Sequence, residues 1–534
     1  MNGSFNKPVG WFAQATAAET SVDIMANSKK APGAAEKALV LVAVCLAALS
    51  MPLTFTGPAV ALPAIGRALG GSPIALNWVT NAFMLTFGSS LMAAGALADA
   101  YGRKRMFLTG VAAFGLFSTL ASVSPSILWL DLARAAQGLA AALAFAGGAA
   151  ALAQEFEGPG RMRAFSLLGT SFGIGLSFGP ITSGLLIDAF GWPSIFLPVV
   201  VAAALSFGIA ARFMRESRDP AATGLDWPGA TSFTAALALL TYGFLKAPEA
   251  GWSDPAVVGL LVGAVLFFAM FGIIERKVRR PMLDLSLFRY PRFVGVQLLA
   301  AAPAYAFVVL LVLLPIRFVG VEGMGEIAAG RLMIALSAPL LVLPLVAGWL
   351  TRWLPASVLC ATGLVISAVG LFWLSGVPAG APAVTLVLPM LTIGVGISLP
   401  WGLMDGLAVS VVPTERAGMA TGIFNTTRVA GEGLALAVVS AVLSALTAGH
   451  LASAGLGQPG ERVAAAQRLV TGDLAAAQVL LPTSGHDQLL AQYGLAFSSL
   501  LVVLTVITIV TAVVVFLFMG RKTGEAAVAE VVEA

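Results

Sequence analysis

Five charged side chains lie well inside long apolar runs of this sequence, away from the run ends where Arg212 and Arg331 fall: Asp131, Arg134, Asp405, Arg428 and Glu432. At a bilayer centre each costs at least about 2.5 kcal/mol unless it is paired or hydrated, so each is a candidate for holding or moving charge. Asp131 and Arg134 are i, i+3 neighbours, and Arg428 and Glu432 are i, i+4 neighbours on one helical face. That spacing gives each arginine an acid and leaves Asp405 without a basic partner. Three acids against two bases favour a bound cation or a protonated carboxylate. The bland alternative is structural: Arg134 gathers backbone carbonyls, Asp131 neutralises it, and Asp405, near one end of its run, meets water. For Glu432 packing offers little, because a carboxylate between Gly431 and Gly433 fills no apolar gap. Enzymatic chemistry finds no footing. His450 and His486 share one late polar segment, while Cys45 and Cys360 sit apart in apolar runs without ligand spacing, so neither a metal cluster nor a nucleophile with its base can be assembled.

The elements that must position these groups follow from composition. A chain of 534 residues with 58% hydrophobic and 10% charged side chains is a membrane protein, since soluble domains carry roughly 25% charge. Apolar runs occur near 38–57, 76–98, 106–123, 126–152, 165–187, 195–213, 228–245, 256–274, 293–315, 327–350, 357–374, 383–411, 417–448 and 495–519. Fourteen helices of about 20 residues each account for them, and they lack the alternating ten-residue segments of a barrel. With the N-terminus inside, most Lys and Arg fall on the cytoplasmic side, among them Arg103, Lys104, Arg105, Arg212, Arg215, Arg276 and Lys277. Only Arg67, Lys246, Arg317, Arg331, Arg462 and Arg468 fall outside. An even span count preserves this asymmetry and returns the C-terminus to the cytoplasm. The net charge of +4 is therefore a topology signal and not a nucleic-acid patch. Residues 1–37 read as a cytoplasmic tail without a cleavable leader, and the outer segment near 449–494 as a small helical cap or loop.

Three motifs occur in order. Gly95-Ala-Leu-Ala-Asp99-Ala-Tyr-Gly102-Arg103-Lys104 follows the second span, Arg134-Ala-Ala-Gln137-Gly138 lies in the fourth, and Gly175 to Gly179-Pro180 and Gly184 lies in the fifth. Together they resemble the cytoplasmic, R-x-x-Q-G and antiporter motifs of the major facilitator superfamily. Leu225-Asp226-Trp227-Pro228-Gly229, Glu275 with Pro281-Met-Leu283-Asp284, and Asn425-Thr-Thr-Arg428 look like the fourteen-span drug:proton antiporters of the EmrB/QacA type. The resemblance covers roughly residues 38–519. The sequence departs from the family where Thr54 stands at the usual first-span acid, where Trp192-Pro193-Ser194-Ile195-Phe196 replaces W-R-W-I-F, and where the second-half copy Gly348 to Arg352 has lost its acid.

The resemblance implies an all-α integral membrane protein with the major facilitator fold. Its expected parts are a tail over 1–37, a six-helix bundle over 38–213, inserted spans 7 and 8 with linkers over 214–292, a second six-helix bundle over 293–519, and a tail over 520–534. It also implies substrate binding at the midplane between bundles that rock alternately. The proton-coupling candidates are Glu432, Asp131, Arg134, Asp405 and Arg428, and the gate is Gly95, Asp99, Gly102, Arg103 and Lys104. Trp78, Phe83, Met84, Trp401, Met404 and Phe424 fall on spans that the analogy places around the cavity. The expected activity is proton-coupled efflux of lipophilic or amphipathic organic compounds from the cell inner membrane, with no cofactor beyond the proton gradient and no nucleic-acid partner. A periplasmic membrane-fusion adaptor is permitted but not required. The alternatives are a dedicated metabolite or siderophore exporter, an uncoupled facilitator and, outside transport, a membrane sensor or interaction protein.

Overall fold

The computed structural model describes residues 33–156, 158–218, 226–278, 283, 285–411 and 417–520, and among them there are helices and no strand. Most of the two expected tails, Leu225, Pro281, Met282 and Asp284 lie outside these residues. Among the described residues thirteen helices are long and apolar enough to cross a membrane. A fourteenth, Trp227–Ala250, is 24 residues long, but its threonines, Lys246 and Glu249 dilute its hydropathy. It packs on its neighbour Pro255–Lys277. The chain is thus a multi-pass, all-α membrane protein. Exposed Val262, Val265 and Leu266 on span 8 and Val506, Val510 and Val513 on span 14 suit lipid contact.

Several spans outrun their apolar cores. Span 1 runs from Ala34 to Leu69 through Pro52, Pro58 and Pro63, well beyond the expected end at 57. Thr54 and Thr56 donate to the Ser50 and Pro52 carbonyls, and the proline-rich stretch is almost wholly buried, where neighbouring helices can satisfy the groups that proline frees. Span 9 runs from Pro291 to Val321 and passes through wide π turns at Ala304–Val308 and Ile316–Val321. Span 10 breaks into a tight turn at Ala338–Leu341 between Glu326–Ser337 and Leu343–Leu350. The segment expected on the outer side forms a helical cap, Pro459–Val470 and Leu474–Leu480, and span 14 begins at His486, earlier than its apolar run.

Spans 1–6 pack among themselves, and so do spans 9–14; the two groups meet where span 2 (Pro73–Tyr101) crosses span 13 (Ala417–Ser453) and where span 5 (Gly158–Phe190) crosses span 10. The face carrying Arg103, Lys104 and Arg105 is called the basic face below, and the opposite face the distal face. The seam is closed distally. Gly184 and Gly330 leave no room for a Cβ, because Glu326 and Ile181 backbone atoms press on them, and Ser177 and Ser337 bond to each other. Gly472 of the cap presses on Gly320 of span 9 and on Pro63 of span 1. Toward the basic face, Gly169 of span 5 and Gly95 of span 2 face open space among the described residues.

Candidate functional site

The expected pairing of Arg428 with Glu432 is corrected by the structure. The Arg428 guanidinium reaches across to span 12 (Ala383–Ser410), where its Nη1 meets Asp405 Oδ1 at 3.4 Å. Helical spacing makes Glu432 a neighbour, but the packing of span 12 on span 13 supplies a second acid that spacing cannot show. Asp405 is therefore not the unpaired acid. Its side chain is 51% exposed, while that of Arg428 is 7% exposed. Glu432 is buried one turn on, and among the described residues no hydrogen bond or ion pair holds its carboxylate.

Three rings surround Arg428: Phe172 at 5.8 Å, Trp401 at 5.9 Å and Phe424 at 5.8 Å from the guanidinium carbon to the ring centroids. Such a cage stabilises a cation by its ring quadrupoles. Trp401 and Phe424 come from spans 12 and 13, Phe172 from span 5 across the seam, so the cage is complete only while these spans are together. Phe307 of span 9 backs Trp401 edge-on, with centroids 6.2 Å apart, and Met404 is fully buried. Phe172 was absent from the sequence-level candidates, although it directly precedes Gly173 of the fifth-span glycine series.

The second charged centre is closed. Arg134 has no exposure; its Nε donates to the Val79 carbonyl at 2.8 Å, its Nη1 to Gln137 at 2.6 Å, and Gln137 in turn donates to Ser118 at 2.6 Å. Phe83 lies under the guanidinium at 4.7 Å. This network ties span 4 (Ile127–Glu155) to spans 2 and 3. Asp131 makes no hydrogen bond with it: its Oδ1 is buried without a partner, four residues into span 4 and so near the distal end. Met84 packs where Gly433 of span 13 crosses span 2, and Trp78 turns to Tyr242 of span 7 at 6.2 Å.

At the basic face, Arg103 binds Asp99 at 2.9 Å and Gln154 at 2.8 Å, and Lys104 Nζ donates to the Ala211 carbonyl at 2.8 Å. Gly102 needs its φ of +113°, a conformation that glycine accepts without a Cβ penalty. Glu216, which no motif flagged, caps span 3 (Arg103–Ser122) by accepting from the backbone nitrogens of Lys104 and Arg105. Gly175 and Gly179 let span 5 lie on Leu49, Pro52 and Thr56 of span 1, with Pro180 beside Gly330 of span 10. Thr54, which stands where the resemblance leads one to expect an acid, is buried and bonded within its own helix.

Arg317 is the other correction. Counted as an outer-loop charge, it is 2% exposed at the distal end of span 9, paired with Glu322 at 2.7 Å and stacked on Phe497 at 4.9 Å. Glu322 lies five residues on, across a π turn, a spacing that an ordinary helix does not bring together so directly. Among the described residues no group of three or more His, Cys, Asp or Glu could hold a metal.

Residues 43–436 match the Major Facilitator Superfamily. The chain is 32% identical to the multidrug resistance protein Stp of Mycobacterium tuberculosis over 388 residues, 72% of each protein. It is 34% identical to the cephamycin export protein CmcT of Amycolatopsis lactamdurans over 403 residues, 73% of this chain and 82% of that one. An auto-inhibited POT-family peptide transporter shares the fold with a TM-score of 0.62 at 14% identity, over 92% of this chain and 97% of the other.

Proposed function

The chain belongs to the Major Facilitator Superfamily, and we propose that it is a secondary active exporter serving one antibiotic-like class of small organic compound, driven by proton entry. One observation carries this reading: a cation–carboxylate pair, Arg428 with Asp405, sits in an aromatic cage shared by both sides of the seam, below a closed distal half. A rock that opens the distal seam would dismantle that cage and expose its contents on the other side. The likeness to the cephamycin export protein supports a dedicated exporter, and the likeness to Stp supports a multidrug pump as its alternative.

In this proposal the basic face is cytoplasmic, the membrane is a bacterial inner membrane, and both termini lie inside. The two bundles are 38–213 and 293–519, with 214–292 inserted and the subfamily that of the fourteen-span EmrB/QacA type. Glu432 carries the proton, because a coupling carboxylate needs a cation within reach and Arg428 is one turn away. Asp131 and the Arg134 network are assigned to structure. Export without coupling is the second reading, and the helix-bonded Thr54 in place of a first-span acid is the observation that favours it.

The test is a susceptibility screen in an efflux-deficient host, using cationic, neutral and anionic antibiotics, with and without collapse of the pH gradient. Protection against a narrow chemical group that disappears on collapse supports the proposal. Protection that survives collapse contradicts coupling, and protection against nothing contradicts export.

A further inference from the structure

We propose that lipophilic compounds reach the aromatic cage sideways, out of the leaflet on the basic side, through a gap between span 5 and span 10, and that the inserted pair of spans confines entry to that flank. This inference rests on the exporter reading and adds to it the route by which substrate arrives.

The seam has two flanks, and the chain treats them differently. On the flank of spans 2 and 13, span 7 packs on both, and its Tyr242 meets Trp78 of span 2. Nearer the basic face, the linker that leaves span 8 completes the closure. Its Leu287 is fully buried with Phe293 of span 9 and Ile423 of span 13, and Met92 of span 2 packs against them. One apolar cluster thus bridges both halves and seals this flank against lipid. On the flank of spans 5 and 10, among the described residues, no element packs on both spans as span 7 does on spans 2 and 13.

The bare flank opens at a defined height. A Cβ on Gly173 of span 5 would still meet Leu340 of span 10 at 3.6 Å, whereas one on Gly169, on the same face one turn nearer the basic side, would meet nothing within 4 Å. The cause is the break in span 10 at Ala338–Leu341. Beyond it, Leu343–Leu350 leans on span 12, where Pro344 presses on Gly402 so closely that no Cβ would fit. Span 10 therefore turns away from span 5 in its basic half. Gly173 sits near the middle of the apolar run 165–187, so the gap lies within one leaflet of a hydrocarbon core about 30 Å thick.

The gap leads to the candidate site. Phe172 precedes Gly173 and Trp401 precedes Gly402, so each wall carries one ring of the cage. Toward the membrane the side chains are apolar and exposed, Leu167 on span 5 and Val342 and Leu345 on span 10. A compound dissolved in the leaflet exchanges lipid contact for contact with these residues. It is spared a transfer into water that costs roughly 25 cal/mol per Å² of apolar surface. A hydrophilic compound gains nothing from this route.

The experiment uses the purified full-length protein in phospholipid nanodiscs, with a bisbenzimide dye that partitions into lipid as probe. Stopped-flow energy transfer from tryptophan to the dye reads association and dissociation, and titration reads affinity. A blocked route slows arrival and departure alike and leaves equilibrium affinity untouched, a signature that a jammed conformational cycle does not produce. Gly169→Trp should slow both rates about ten-fold or more, with affinity within about three-fold of wild type. Gly169→Ala should match wild type, and so should Gly208→Trp on the exposed side of span 6 (Leu197–Phe213). In a background where Cys45 and Cys360 are alanine, a bimane on Gly169→Cys should be quenched by brominated lipid and one on Met92→Cys should not. Wild-type rates in Gly169→Trp overturn the route even with quenching at Gly169→Cys, since lipid chains would then only fill the gap. An affinity that falls as far as the rate overturns it too, by placing Gly169 in the bound site, and so does equal quenching at Met92→Cys. Failure of wild type to bind the dye overturns the lipophilic route, while protection against polar compounds in the susceptibility screen would leave the exporter reading standing.

Discussion

Ser177 of span 5 and Ser337 of span 10 each donate a hydroxyl to the other's backbone carbonyl, at 2.7 and 3.2 Å. Ser337 is also the last residue of its helix before span 10 breaks. The reciprocal bond therefore ties the two halves of the molecule together at the point where one of them can bend.

If the distal seam must part during transport, fixing this contact should stop the cycle. In a background where Cys45 and Cys360 are alanine, the pair Ser177→Cys and Ser337→Cys should lose transport under oxidation and recover it on reduction. A cross-linked protein that transports normally would show that the seam stays shut throughout.

Asp99 binds Arg103 in a pair that is largely accessible, 42% and 21% exposed respectively. Such a pair contributes less than about 1 kcal/mol to stability. Its expected role is to latch one state, by facing the positive N-terminal end of span 13, whose first side chains lie outside the described residues. Asp99→Asn should thus lower transport several-fold with insertion intact and thermal stability nearly unchanged. Equal loss of folded protein and of transport would mark Asp99 as structural only.

Much of this arrangement was legible in the sequence, and the parts that were not share a cause. Apolar run length gave fourteen helices, because lipid leaves few alternatives for the backbone. Local spacing placed Arg428 beside Glu432 but could not show that span 12 brings Asp405 to the same guanidinium, since partner choice across helices depends on packing. The same limit hid Phe172, Glu216 and the contact of Trp78 with Tyr242. The expected end of span 1 at 57 falls short because proline breaks helices in water, whereas here it is buried among helices. Arg317 passed for a loop charge because its acid lies across a π turn.

That buried pair gives a stability prediction. Arg317 and Glu322 are 2% and 4% exposed, so removing one partner strands the other. Arg317→Met should cost about 3–5 kcal/mol, while Arg317→Met with Glu322→Leu should cost much less, because no lone charge remains. Thermal unfolding in detergent reads both, and a double variant no better than the single would contradict an isolated pair.

In the proposed export cycle Glu432 couples the proton gradient to export. In proteoliposomes carrying a compound identified by the susceptibility screen, an imposed pH gradient should drive wild-type accumulation. Glu432→Gln should build no gradient yet still exchange substrate down its own gradient. Accumulation by Glu432→Gln at the wild-type level would contradict the claim and return the coupling role to Asp131.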